Sequence, residues 1–94
     1  MPAKIQTGIK ERQSYNVYIV RCSDGTYYTG IAVDTEKRLH EHNHSSKGSR
    51  YTRARRPVVL VYTEVHPDRS SAQKREYAIK QMPRAAKEAL IRCD

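Results

Sequence analysis

Five side chains have the types and spacing to move a proton beside an anion: Tyr18, Tyr28, Arg38, His42 and Glu76. A phenol accepts a proton readily only when a neighbouring positive charge lowers its pKa from about 10. A guanidinium offers planar donors to an oxyanion. A carboxylate can hold a hard divalent cation, and an imidazole can orient or relay a proton. Each also has an ordinary structural use. Tyrosines pack on sheets, Arg38 and His42 suit a solvated helix face, and Glu76 can pair with Lys80 one turn on. The set becomes a candidate site only if the chain's elements bring its members together.

The two phenols must meet across a hairpin. Residues 15–21 (YNVYIVR) and 26–31 (TYYTGI) are rich in β-branched and aromatic types, with the turn signal Ser23-Asp24-Gly25 between them. A two-residue Asp-Gly loop would pair Val20 with Thr29 and send Tyr18 and Tyr28 to opposite faces. A three-residue loop, with Gly25 in the left-handed position, pairs Cys22 with Thr26. Tyr18 then faces Gly30, and Tyr28 lies one diagonal step away on the same face. Both loops are sterically allowed. The three-residue loop is the expectation, because Ser and Asp tolerate its first two positions and glycine suits its third. Gly30 points the same way, since a glycine inside a strand often marks a close approach.

Asp34 is the expected N-cap of a helix over 35–45, with Glu36 in its first turn. Arg38 and His42, one turn apart, share a face flanked by Leu39, so the helix must dock by a narrow edge. Residues 45–57 read as a polar linker broken by Gly48 and Pro57. They carry Lys47, Arg50, Arg53, Arg55 and Arg56 around Tyr51, without one acid. The apolar run 58–62 (VVLVY) reads as a third strand covered on both faces. A second helix opens at Ser70, where Gln73 completes a capping-box pattern. Ala72, Ile79 and Met82 mark its inner side, which Glu76 shares. Pro83 separates it from a last helix over 84–92, in which Ala85, Ala89, Leu90 and Ile91 are the expected buried residues. The order β-β-α-β-α-α predicts an α+β fold: a small, mostly antiparallel three-stranded sheet flanked by helices. Residues 1–13 read as a flexible tail and 14–94 as a single domain.

Eighteen Lys and Arg against ten Asp and Glu leave a net charge of +8. Such a surface selects a polyanionic partner, DNA or RNA before an anionic membrane surface. No apolar run approaches the ~20 residues that span a bilayer, and the N-terminus lacks the apolar stretch of a secretory signal. Two cysteines in no paired motif fit a reducing, cytoplasmic setting. With 37% hydrophobic residues and neither Trp nor Phe, the core must be thin.

Asn16-Val17-Tyr18 and Tyr28-Thr29-Gly30 resemble the two halves of the GIY-YIG nuclease signature, separated as that family separates them. The resemblance continues through Arg38, in DTEKRLHEHN, and Glu76 in the later helix, and so covers residues 15–80. It is nearest to the small stand-alone GIY-YIG proteins of bacteria. Asn16 stands in place of the first glycine and Thr29 in place of the central isoleucine. Ile31 stands where some members carry a lysine, and no asparagine follows Glu76 where some carry one.

The resemblance implies a metal-dependent endonuclease hydrolysing phosphodiester bonds in DNA, with RNA not excluded, in repair or recombination. It implies one Mg²⁺ or Mn²⁺ on Glu76, and Tyr28 or Tyr18 as the base for the attacking water, with Tyr28 preferred. Arg38 would neutralise charge on the phosphate, and His42 would orient the water or a phosphate oxygen. Lys47, Arg50, Arg53, Arg55 and Arg56 are the expected backbone contacts, with Tyr51 and Lys80 behind them. Each phosphate neutralised steepens the log-log salt dependence by about 0.9. Nothing in the chain reads bases, so targeting by a partner protein is a further expectation. Two other classes compete: a nucleic-acid-binding module that keeps the fold without efficient cutting, and an interaction protein with no nucleic-acid role. A zinc site at His40 and His44, one turn apart, ranks below solvated histidines for want of a third ligand.

Overall fold

The computed structural model describes residues 13–93, so the expected tail, apart from Gln13, lies outside the described residues. β1 (Tyr15–Arg21) and β2 (Tyr27–Ala32) form the hairpin in the register of the three-residue loop. Tyr18 faces Gly30, Val20 faces Tyr28 and Arg21 faces Tyr27. The Cys22 amide donates to the Thr26 carbonyl at 2.8 Å. Gly25 sits at φ +85°, a conformation that costs a side chain and is free to glycine.

β3 (Val59–His66) pairs antiparallel with the other side of β1, giving the order β2-β1-β3. The strand covered on both faces is therefore β1, not β3. Val17 and Ile19 turn to one side and Tyr18 and Val20 to the other, none more than 3% exposed. The run VVLVY lies on an edge strand that continues to His66, and its Val59 is 53% exposed. A bulge explains why that run shows no alternation. Ile19 pairs with Tyr62 but Val20 with Leu60, so the skipped Val61 joins Tyr62 against the same core cluster.

α1 (Thr35–His44) begins at Asp34, whose carboxylate accepts the Lys37 amide at 3.0 Å. Inside the segment expected to be a linker lies a single helical turn, α2 (Arg50–Arg53). Ser49 caps it by accepting the Thr52 amide at 3.1 Å. α3 (Arg69–Lys80) starts earlier than the capping-box pattern implied. Asp68 is its cap, accepting the Ser71 amide at 2.8 Å, so the Ser70–Gln73 pair falls one step inside. α4 (Arg84–Cys93) leans on the core through Leu90 and Ile91 alone, while Ala85 and Ala89 are exposed. Two methyl side chains add too little apolar area to turn the helix their way.

One core cluster joins Val17 and Ile19 to Ala72 and Ile79 of α3; the other joins Tyr18, Val20 and Cys22 to Val58, with Leu39 and Tyr51 packed against it. Arg75 donates to Glu64 of β3 at 2.8 Å, tying α3 to the sheet one residue before Glu76. No helix among the described residues is long and apolar enough to cross a membrane.

Candidate active site

The Tyr18 ring crosses the sheet directly over Gly30. A Cβ at Gly30 would lie 2.6 Å from the Tyr18 Cζ, so only glycine admits the ring there. The Tyr18 hydroxyl oxygen lies 2.7 Å from His42 Nε2. His42 is fully buried, contrary to a solvated helix face, and its Nδ1 lies 2.8 Å from Thr52 Oγ1. Gly48 makes this possible from the far side. A Cβ at Gly48 would sit 2.9 Å from the His42 Cα, and that close approach carries Ser49 and Thr52 up to the imidazole.

Tyr28 meets the same histidine. Its ring stands edge-on to His42 with centroids 5.4 Å apart, and lies nearly parallel to Tyr51 at 6.0 Å. Tyr51 donates to Thr26 Oγ1 at 2.7 Å, and the Arg55 guanidinium covers its outer face at 3.7 Å. Arg55 also pairs with Asp24 at 3.0 Å, so it braces the hairpin turn against α2.

Arg38 reaches inward from α1. Its guanidinium donates to Glu41 Oε1 and to the Lys47 carbonyl, both at 2.9 Å. Beside it opens a cleft of about 320 Å³ between the end of β2 and α1, lined in part by Ala32, Asp34, Lys37 and Glu41. Glu76 approaches from α3, its side chain 24% exposed and 3.2 Å from Lys80 Nζ. Lys80 Nζ in turn stands 6.0 Å above the Tyr28 ring.

Burial pushes the Tyr18 phenol up to about 12. The nearby Arg38 guanidinium pulls it down, while Tyr28 and the Glu76 charge push it further up. Tyr18 and Tyr28 thus meet on His42, with Tyr51 beside Tyr28 and Lys80 between the Tyr28 ring and Glu76, while Arg38 and Glu76 are near enough to shift the Tyr18 phenol. His42 is pushed down from 6.5 to about 4, first by burial and then by the charges of Arg38 and Arg56, against Glu41. It is neutral at physiological pH.

That depression has a consequence for folding. The unfolded chain takes up a proton near pH 6.5, while folded His42 resists protonation until about pH 4. The unfolded state binds more protons in that window, so stability is full above it and falls as the pH drops through it, by up to about 3 kcal/mol. Urea midpoints should fall between neutral pH and about pH 4.5, and His42→Gln should remove most of that slope. A midpoint flat across the window would show that the imidazole ionises freely in the fold.

The basic residues of 47–56 have differing duties. Lys47, Arg50 and Arg53 are exposed, the last donating to the Ser46 carbonyl at 3.0 Å. Arg56 closes the end of α1, donating to the carbonyls of Glu41, His42 and Ser45. These carbonyls lie 11 to 15 residues before Arg56, so no local pattern in the sequence marks this contact. Sequence reasoning passed over Ser49, Thr52 and Glu41, the partners of His42 and Arg38.

The family model for the GIY-YIG catalytic domain matches residues 14–89. The chain belongs to the GIY-YIG family. A UPF0213 protein of Desulfotalea psychrophila is 54% identical over 88 residues, 94% of this chain and 80% of its own. A UPF0213 protein of Halobacterium salinarum is 53% identical over 77 residues, 82% of this chain and 99% of its own, so that relative is little more than the domain. The solution structure of a UPF0213 protein from Bacillus halodurans is 40% identical, covers 86% of this chain and 85% of its own, and superposes with a TM-score of 0.57. That of a protein from E. faecalis is 39% identical, covers 87% and 86%, and superposes at 0.60. GIY-YIG membership implies nuclease-type chemistry on nucleic acid.

GIY-YIG nucleases use a divalent metal, so the donor set must be tested against one. No three His, Cys, Asp or Glu side chains among the described residues stand close enough to hold an ion together. His40 and His44, with ring centroids 4.7 Å apart, therefore lack a third ligand there. Glu76 alone fits Mg²⁺ or Mn²⁺, because such an ion keeps several waters and takes further oxygens from a phosphate.

Proposed function

We propose that this GIY-YIG domain is a metal-dependent endonuclease that hydrolyses phosphodiester bonds in DNA, RNA not being excluded. The observation that carries this reading is the meeting of two phenols on one buried imidazole, with ring centroids 5.8 and 5.4 Å away, where Arg38 and Glu76 both act on Tyr18. Sheet packing alone would not gather a guanidinium and a carboxylate around two phenols.

Tyr28 is the base. It is only half-buried, and its hydroxyl has no hydrogen-bond partner among the described residues, which leaves it free to take the proton of an attacking water. Tyr18, held protonated by burial, offers a hydrogen bond instead. Arg38 meets the charge that grows on the phosphate. Glu76 would hold one Mg²⁺ or Mn²⁺, which when bound would supply positive charge at the phosphate and make a nearby water easier to deprotonate. Lys47, Arg50 and Arg53 take the nucleic-acid backbone, with Tyr51 and Lys80 near the cut. Arg55 and Arg56 add charge from positions where their donors also hold the fold. A cytoplasmic role in repair or recombination, directed by a partner protein, completes the reading.

A second reading is a binding module that keeps the fold and cuts poorly. It is favoured by the internal partners that Glu76 and Arg38 already have in Lys80 and Glu41. Supercoiled plasmid incubated with the protein and Mg²⁺ or Mn²⁺ separates the two. Wild type should nick, and Tyr28→Phe should nick at least about 10²-fold more slowly. Equal nicking by wild type, Tyr28→Phe and Glu76→Gln would trace the activity to a contaminant. Binding without nicking would support the second reading.

A further inference from the structure

We infer that Thr52 and the Ser49 backbone amide hold His42 in the tautomer protonated at Nε2, so that His42 donates to the Tyr18 oxygen and leaves the Tyr18 O–H aimed at the substrate. The tautomer stands on geometry alone, while its catalytic consequence rests on the nuclease reading above. Thr52 is then a positioning residue, acting on the reacting phosphate only through His42 and Tyr18.

His42 is fully buried, and as a neutral ring it has one N–H for two partnered nitrogens. Tyr18 lies 2.7 Å from Nε2 and Thr52 Oγ1 lies 2.8 Å from Nδ1. Hydroxyls donate or accept, so those two bonds alone are compatible with either tautomer. The Ser49 amide breaks the tie. A backbone N–H can only donate, and this one points at Nδ1 from 3.4 Å. Nδ1 is therefore an acceptor, and the ring proton sits on Nε2.

The hydroxyls around Nδ1 close the network in the same sense. Thr52 donates to Nδ1, its competing acceptor being the Ser49 carbonyl at the longer 3.1 Å. The Ser49 hydroxyl donates to Thr52 Oγ1 at 2.9 Å, and its oxygen accepts the Thr52 amide at 3.1 Å. At the other end, the Tyr18 oxygen accepts from Nε2–H. Its own proton cannot point back at His42 and is left for another acceptor. In the opposite tautomer, Tyr18 would spend its proton on His42 and offer the substrate nothing.

A two-bond ¹H–¹⁵N correlation spectrum of labelled protein reads which nitrogen of His42 carries the proton, and needs no nuclease activity. The expected result is Nε2–H in the wild type and in Thr52→Ser, with Nδ1–H gaining population in the isosteric Thr52→Val. A wild-type ring protonated at Nδ1 would overturn the assignment. In plasmid nicking, Thr52→Val should lower kcat about tenfold or more at unchanged KM, and Thr52→Ser should restore it. Full kcat in Thr52→Val would remove the positioning role. A wild type that never nicks would sink the nuclease reading, yet the spectrum would still decide the tautomer.

Discussion

Glu76→Gln should leave the protein folded and all but silence its metal-dependent nicking, by about 10² to 10⁴-fold. That range is several kcal/mol of metal-borne charge stabilisation at 1.36 kcal/mol per decade. The expected cost in stability is far smaller. Glutamine keeps the shape and the helix propensity of glutamate. Neighbouring Ala72 and Ile79 stay buried whatever stands at position 76. The Lys80–Glu76 pair that would be lost joins a lysine side chain 46% exposed to a glutamate one turn away, and such pairs contribute about 0.3–0.5 kcal/mol. A large loss of rate beside a shift in urea midpoint near the error of the measurement is thus the signature of a ligand. A structural glutamate gives the reverse. Metal titrations sharpen the contrast, since the residual activity of the variant should need far more Mg²⁺. If Glu76→Gln nicked like the wild type, Glu76 would be no more than the helix partner of Lys80.

The parts of this site that could be read from sequence are those set by local rules. Ser23-Asp24-Gly25 specifies a loop, the loop specifies a register, and the register places Tyr18 opposite Gly30 and Tyr28 on the same face. Asp34 specifies where α1 begins, and hence that Arg38 and His42 look the same way. The lower half of the site was hidden because its rules are not local. Ser49 and Thr52 sit in a basic, polar stretch, where a one-turn helix leaves no periodicity to detect. Their burial is decided by Gly48 letting that stretch press against α1. The depth of His42 follows from the same contact, so nothing in a helix with one large apolar residue foretold that this site histidine is fully buried. The swap of edge and centre between β3 and β1 has a similar origin. Sheet order is a tertiary choice, and the bulge at Val61 erased the alternation that would have marked an edge.

Gly30→Ala should damage both stability and nicking, because its added methyl collides with the Tyr18 ring. The added Cβ would sit 2.6 Å from Tyr18 Cζ and closer still to its hydroxyl oxygen, shorter than real contacts allow. β2 cannot retreat, because Gly30 pairs with Tyr18 in the middle of the hairpin, on the strand that carries both core clusters. The ring must swing away instead, and its hydrogen bond to His42 goes with it. Overpacking of this kind costs about 1–3 kcal/mol, and in a domain of this size each kcal/mol lowers Tm by about 4–8 °C. The effect on nicking should be larger than stability alone explains, since the Tyr18 hydroxyl leaves the site even in molecules that stay folded. A double-mutant cycle identifies the cause. If the clash with the ring is the source, Gly30→Ala should cost much less in a Tyr18→Ala background than in the wild type, a coupling of about 1 kcal/mol or more. Strictly additive losses would place the damage in the β2 backbone, and the close approach of ring and glycine would then have no energetic role in holding the two phenols on His42.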